Sequence, residues 1–147
     1  MSAISVTAAN VLASSQATTA VGIAGATVTA GQALYSDPSD SGKLKLADAD
    51  ASDTAARVVG IALHGASSGQ PLKYVIEDPD FTPGATLSLS AAADDGIYIL
   101  GATAGSITPV GDIAASWRPV VLYVAKSTTK CFLKIHGGHN GVAALTS

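Results

Sequence analysis

Short runs that alternate apolar and polar residues recur along most of the chain. In the run 43–46 two Leu alternate with two Lys, so we expect the Leu side chains to face a core and the Lys side chains to face water. The run 29–36 reads Thr-Ala-Gly-Gln-Ala-Leu-Tyr-Ser and indicates a glycine turn followed by a strand. Further strands are predicted within 19–26, 57–63, 71–77, 86–89, 97–100, 120–126 and 129–136.

These runs are short, and clusters of Gly, Pro, Asp and Ser separate them. Such spacing favours a closed or folded sheet over helices that alternate with strands. Two stretches, 47–56 and 112–116, are compatible with a helical turn but are too short to cross over a parallel sheet. The sequence therefore predicts an all-β fold, a single-domain β-barrel or jelly-roll-like sandwich.

The chain has 147 residues, a usual size for one domain. Residues 1–17 are rich in Ala, Ser and Thr with scattered apolar residues, which predicts an extended N-terminal arm. The β domain is then expected at 18–147.

The two halves of this domain share turn and strand motifs. Four pairs of segments correspond: 29–34 with 82–87, 42–46 with 96–100, 58–63 with 120–124, and 72–75 with 133–135. The pattern predicts an internal duplication of 28–77 and 82–136, with a loop insertion in the second copy. Two four-strand units closing one barrel or sandwich would hide the free edges that each unit alone exposes.

Composition indicates a core of small residues and a surface suited to association. Apolar residues make up 48% of the chain, aromatic residues 5% and charged residues 13%, whereas soluble domains usually have roughly 25% charged residues. A surface so poor in charge exposes apolar area, which usually marks interfaces. We therefore expect an assembly.

The charges are unevenly distributed. The net charge is −3, yet residues 1–112 carry −7 and residues 113–147 carry +4. No basic run suitable for phosphate binding occurs, so no nucleic-acid partner is predicted. The asymmetry is compatible with contacts between copies or with a larger partner, and equally with two solvated faces that differ by chance.

Cys131 is the sole cysteine, so no internal disulfide can form, and the alternation around it predicts that it is buried. No apolar run approaches the length of about 18 residues that crosses a bilayer. No membrane partner is therefore predicted.

Catalytic and metal-binding patterns are incomplete. Residues 65–69 match Gly-x-Ser-x-Gly and follow His64, but a nucleophile elbow needs a helix after its serine, and a strand is predicted there instead. His136 and His139, and the acids 48, 50 and 53, provide no complete set of metal ligands. We expect no catalytic residue, no metal and no cofactor, and hence no enzyme.

Trp117 and Arg118 form the one place where a large aromatic residue adjoins a cation. Both residue types are enriched at interface hot spots. Packing at the end of a barrel is the other interpretation of this pair, and both remain open.

The ordered motifs at 28–37, 43–50, 59–63 and 69–71 resemble those of capsid cement proteins, also called head decoration proteins, of tailed bacteriophages. The resemblance spans about residues 20–136 and rests on strand and turn motifs. It implies a β-rich structural protein that binds the outer surface of the phage head at junctions between major capsid protein subunits and stabilises it. It also implies that the chain is made in the host cytoplasm, pairs with itself as a dimer or trimer, and ends on the virion.

For such a protein we expect the arm to become ordered on the capsid, with contacts from Ile4, Val6, Val11 and Leu12. Trp117 and Arg118 are further interface candidates. The alternative function is a carbohydrate- or receptor-binding β module of a phage or bacterial surface, which would be expected to display several exposed aromatic residues.

Overall fold

The computed structural model describes residues 4–52, 54–87 and 96–137, and within them the chain is almost entirely β-structure. The strands are β1 Val11–Leu12, β2 Thr18–Ile23, β3 Ala33–Asp37, β4 Lys43–Leu46, β5 Val58–Ala62, β6 Pro71–Pro83, β7 Ile97–Leu100, β8 Ile107–Pro109, β9 Val120–Ala125 and β10 Cys131–Gly137. Short 3₁₀ turns occur at Ala8–Asn10, Pro38–Asp40 and Val110–Asp112.

All these strands belong to one antiparallel sheet, which curls into a half-barrel. Its order is β4-β3-β5-β6-β10-β9-β7-β8, and β1 and β2 also pair with β6. The long strand β6 thus links both halves and the N-terminal segment. The predicted all-β, single-domain fold is confirmed.

The two halves of the sheet have the same strand order. In the first half β3 lies between β4 and β5, and β5 pairs with β6; in the second half β7 lies between β8 and β9, and β9 pairs with β10. A duplication would produce this arrangement, and the duplication itself stays a prediction. By sheet position β7 corresponds to β3 and β8 to β4, whereas the sequence alignment had matched β4 with β7.

The buried residues form two clusters. The larger cluster includes Phe81, Tyr98, Tyr123 and Leu133 and lies between the two halves. The smaller cluster lies inside the first half and contains small and aliphatic residues: Ala24, Val28, Leu34, Leu44, Ala62, Ala66 and Leu72. The chain after β2 closes this second cluster, because Gly25 N donates a hydrogen bond of 2.7 Å to Leu44 O.

Some details of the sequence prediction differ from the structure. β1 and β8 were not predicted. The stretch 47–56 contains a local turn closed by a hydrogen bond from Ala56 N to Ser52 O at 3.2 Å, which is compatible with the helical turn expected there. The predicted strand 86–89 is absent at its described residues 86 and 87, while 88 and 89 lie outside the described residues. Residues 4–17 lie against the β domain in the isolated chain, and the predicted boundary at 17/18 coincides with the start of β2.

Candidate binding surfaces

The N-terminal segment, residues 4–17, is held by backbone hydrogen bonds at several points. Ile4 N donates to Ile107 O at 2.9 Å, and Thr7 N donates to Gly84 O at 2.7 Å. β1 pairs with the end of β6, with Leu12 opposite Thr82. The segment therefore needs no capsid to acquire its position.

Two glycines of the β domain lie in close contact with this segment. Gly31 has φ +90° and Gly84 has φ +78°, conformations that side chains rarely adopt. A Cβ atom on Gly31 would lie 2.5 Å from Val6 Cγ1, and one on Gly84 would lie 2.9 Å from Val11 Cγ2. These are the glycines of the two repeated turns at 29–34 and 82–87, so both copies of the motif contact the N-terminal segment.

A buried carboxylate anchors the end of the segment. Asp78, fully buried in β6, accepts hydrogen bonds from Ser14 N at 2.7 Å and from Ser14 Oγ. Asp80 N donates to the same carboxylate at 2.9 Å. Sequence reasoning missed this anchor, because the acidic run at 77–80 gives no sign of a partner 64 positions away.

The four predicted contact residues of the segment fall into two groups. Ile4 and Val11 pack against the larger core cluster, and Val6 packs on Gly31. Leu12 is 64% exposed. Leu12 is therefore the residue of the four that presents most of its side chain to a partner.

Trp117 and Arg118 are half-buried. Trp117 packs against the larger core cluster, and Arg118 N donates to Ala49 O at 2.8 Å. Asp48 raises the pKa of the neighbouring Asp50, and the positive charge of Arg118 opposes that shift. Trp117 therefore contributes to packing of the core, and the interface role of the pair stays a prediction.

The basic residues of β10 and of the connection between β9 and β10 lie beside acids of β6 in the same chain. Lys126 Nζ lies 3.2 Å and Lys130 Nζ lies 3.7 Å from Asp80 carboxylate oxygens. Lys126, with a smaller effect from Lys130, holds the pKa of Asp80 below its usual value. Lys134 Nζ lies 4.0 Å from Glu77 Oε1. Much of the charge asymmetry between the two parts of the chain is thus compensated within the molecule.

Besides Ile113, two groups of exposed apolar side chains were not singled out from the sequence. Val21 and Ile23 project outward from β2, and Ile97, Val124 and Phe132 project from β7, β9 and β10. The alternation in β10 indicated that Phe132 is exposed. Phe132 and Lys134 project on the same face of the strand, whereas Cys131 and Leu133 project on the other face and are buried.

The Gly-x-Ser-x-Gly segment is a turn that leads into β6. His64 Nε2 accepts a hydrogen bond from Lys73 N at 3.0 Å, and His64 Nδ1 lies 2.8 Å from Gly65 O. Ser67 N donates to Gln70 Oε1 at 2.8 Å. Both nitrogens of the imidazole are therefore engaged with the backbone, and no helix follows the serine.

Cys131 and Tyr123 are buried. Burial raises the pKa of the Cys131 thiol to about 12 and raises that of Tyr123 well above its usual value. Cys131 is fully buried, as the alternation predicted. Within 4–52, 54–87 and 96–137, no group of three His, Cys, Asp or Glu side chains is arranged to hold a metal ion. Asp53 and His139 lie outside those ranges.

An open groove of about 590 Å³ lies between the N-terminal segment and the end of β6. Hydroxyl, amide and small side chains line much of it, including Ser5, Thr7, Asn10, Thr82, Thr86 and Thr129. None of its lining residues is aromatic or charged.

A comparison with protein-family models finds no matching family, and a comparison with curated proteins finds no similar sequence. In the described part of the chain, no helix is long and apolar enough to cross a membrane.

Proposed function

We propose that this chain is a capsid decoration protein. It binds the outer surface of a tailed-phage head, at junctions between major capsid protein subunits, and stabilises the head. The observation that carries the proposal is the position of the resembling motif: its glycine, Gly31, holds the N-terminal segment in place. The motif thus helps to build the surface on which the N-terminal segment lies.

The character of the surface supports this role. Charged residues make up 13% of the chain, and Leu12, Val21 and Ile23 present apolar side chains to solvent on β1 and β2. A decoration protein acts through many weak contacts, and a repeating lattice multiplies their effect by raising the effective concentration.

Leu12 is the contact residue of the N-terminal segment in this proposal. Ile4, Val6 and Val11 fix the path of the segment by packing on the domain, and Leu12 is left 64% exposed between them and β2. The segment binds the capsid in the conformation that it already has.

Carbohydrate binding is the weaker alternative. Of the seven aromatic residues, Phe132 alone is an exposed large hydrophobic residue, while Phe81, Tyr98 and Tyr123 are buried and Tyr35, Tyr74 and Trp117 are partly buried. The hydroxyl-lined groove contains no aromatic ring on which a sugar could stack. Binding on a glycan array would favour this alternative over decoration.

The test is co-sedimentation of the purified chain with expanded, empty phage heads. We expect the wild-type chain to pellet with heads and Leu12→Ser to bind at least about tenfold more weakly, the effect of removing an apolar anchor. Ile113→Ser is the matched control, since Ile113 is also exposed (41%) but lies far along the chain from the segment. Equal binding by all three proteins would contradict the role of Leu12, and no binding by any would contradict the proposed function.

A further inference from the structure

Three exposed apolar side chains form a row across neighbouring strands. Val124 of β9 is the register partner of Ile97 in β7 and of Phe132 in β10. Partners in an antiparallel ladder project on the same face of the sheet. Ile97 is 37% exposed, Val124 45% and Phe132 48%. We call this row and its surroundings the β7-β9-β10 face.

A groove of about 440 Å³ adjoins the row, lined by residues that include Pro79, Val124, Phe132 and Leu133. Apolar side chains gathered in this way differ from the single exposed residues that every soluble protein carries. The β7-β9-β10 face is therefore a candidate interface.

The first half of the sheet has an equivalent face, and the burial of its residues can be compared with that of the β7-β9-β10 face. Ile61 pairs with Val75, as Tyr123 pairs with Leu133, and all four residues are buried in the larger core cluster. One position further along, the equivalent pairs are Ala62 with Tyr74 and Val124 with Phe132.

These two pairs differ in exposure. Ala62 is fully buried and Tyr74 packs with it in the smaller core cluster, because β2 runs beside them: Ala20 is the register partner of Tyr74. A Cβ atom on Gly22 would lie only 2.9 Å from Leu44 Cδ1. In the described part of the chain, no strand closes over Val124 and Phe132 in the way β2 closes the first half.

The rim of the β7-β9-β10 face carries both signs of charge. Lys126 lies over the Phe132 ring at 4.8 Å from its centroid and pairs with Asp80. Lys134 and Glu77 form a loose pair, with side chains 77% and 55% exposed. A twofold axis can place a cation of one copy beside an acid of the other, so this rim is complementary to itself. A purely basic rim would repel a second copy.

We propose that two copies of this chain pair through the β7-β9-β10 face about a twofold axis. The row of Ile97, Val124 and Phe132 packs against the same row of the partner and is withdrawn from water, which supplies the driving force. At the rim, Lys134 of each copy pairs with Glu77 of the other copy. The inference concerns the free protein and does not rest on the proposed function. Of the two oligomeric states expected from the sequence, dimer and trimer, it favours the dimer.

The first test is sedimentation equilibrium of the full chain over a wide concentration range. We expect a monomer–dimer equilibrium in which Phe132→Ser raises the dissociation constant at least about tenfold. Val21→Ser is the matched control, since Val21 is 67% exposed on β2, outside the face, and should leave the constant unchanged. Circular dichroism of each variant checks that it is folded.

The second test maps the face by disulfide formation. Single cysteines replace Ile97, Val124 or Phe132 in a Cys131→Ala background, and at least the one nearest the axis should form a disulfide dimer on mild oxidation. Val21→Cys in the same background should form no disulfide-linked dimer. A wild-type chain that is monomeric at all concentrations, a trimer, or a dimer that Phe132→Ser leaves intact would each overturn the proposal.

Discussion

Gly31 and Gly84 are the glycines of the two repeated turns. Each adopts positive φ, and each lies against the N-terminal segment with no room for a methyl group. The turn could be predicted from the glycine alone. The contact could not, because nothing local in the sequence indicates that Val6 packs on Gly31 and Val11 beside Gly84.

Gly31→Ala is expected to destabilise the protein by about 3 kcal/mol, because the new methyl group both strains the backbone and displaces Val6. Gly69→Ala is the matched control: Gly69 also has φ +90°, but an added Cβ would meet nothing within 4 Å. That variant should lose only the backbone part, about 1–2 kcal/mol. Urea unfolding measures both values, and equal losses would mean that the N-terminal segment does not press on Gly31.

The hydrogen bonds of Asp37 predict how the stability of the protein changes at acidic pH. Hydrogen bonds from Lys45 and Ser39 lower its pKa from 3.8 to about 2, so the unfolded chain binds more protons between these values than the folded chain does. The stability from this pair is present above pH 4 and is lost as the pH falls through about 2. In Lys45→Met, NMR titration should show the pKa of Asp37 moving back towards 3.8; an unchanged pKa would contradict the assigned cause.

At the level of elements, alternation predicted most of the central strands because their faces differ in environment. In β4 Leu44 is buried, and Lys45 reaches Asp37 at 2.8 Å. Alternation did not predict β8. This strand has only three residues, one of them a proline, so its sequence is too short to show an alternation of apolar and polar residues. Alternation also did not predict β1, whose two residues are a strand only because β6 extends to Pro83 and pairs with them.

The stretch 47–56 combines local and long-range backbone hydrogen bonds. Its alanines at 47, 49, 55 and 56 are buried, because small side chains let the backbone approach its neighbours. Ala47 N donates to Ala33 O, and Ala49 N donates to Gly101 O, both at 2.9 Å, while Ala56 N donates to Ser52 O within the stretch at 3.2 Å. The local turn could be predicted from the sequence, whereas the long-range bonds cannot be read from local propensity.

Asp78 should control how firmly β6 holds the N-terminal segment. Asp78→Ala removes a buried acceptor of three hydrogen bonds and leaves Ser14 unsatisfied, so we expect a loss of about 2–3 kcal/mol. Hydrogen exchange should then show the amide of Ser14 losing protection. Ser14→Ala, which keeps the backbone hydrogen bond, should cost about 1 kcal/mol. Unchanged protection at residue 14 in Asp78→Ala would contradict the anchor.

At the scale of the whole molecule, the sequence predicts two related halves. Its paired segments match β4 with β7, whereas the sheet order matches β3 with β7 and β4 with β8. The glycines of both turn motifs contact one N-terminal segment, and that shared partner lies outside both halves. Such a constraint is visible only when the segment and both turns are placed together.

The charge asymmetry is a second property that required the fold. Residues 113–147 carry +4 in the sequence, yet Lys126, Lys130 and Lys134 lie beside acids of β6. Pairing between β6 and β10 brings these distant charges together. The same pairing leaves Phe132 on the outer face, where sequence reasoning had placed no interface.

The central claim is that the chain binds assembled phage heads, and cryo-electron microscopy of purified protein mixed with empty expanded heads tests it most directly. The proposed function predicts added density at regular positions on the outer lattice, at junctions between major capsid protein subunits, that heads without the protein lack. Heads that remain bare at saturating protein, including those of the phage that encodes the chain, would contradict the claim.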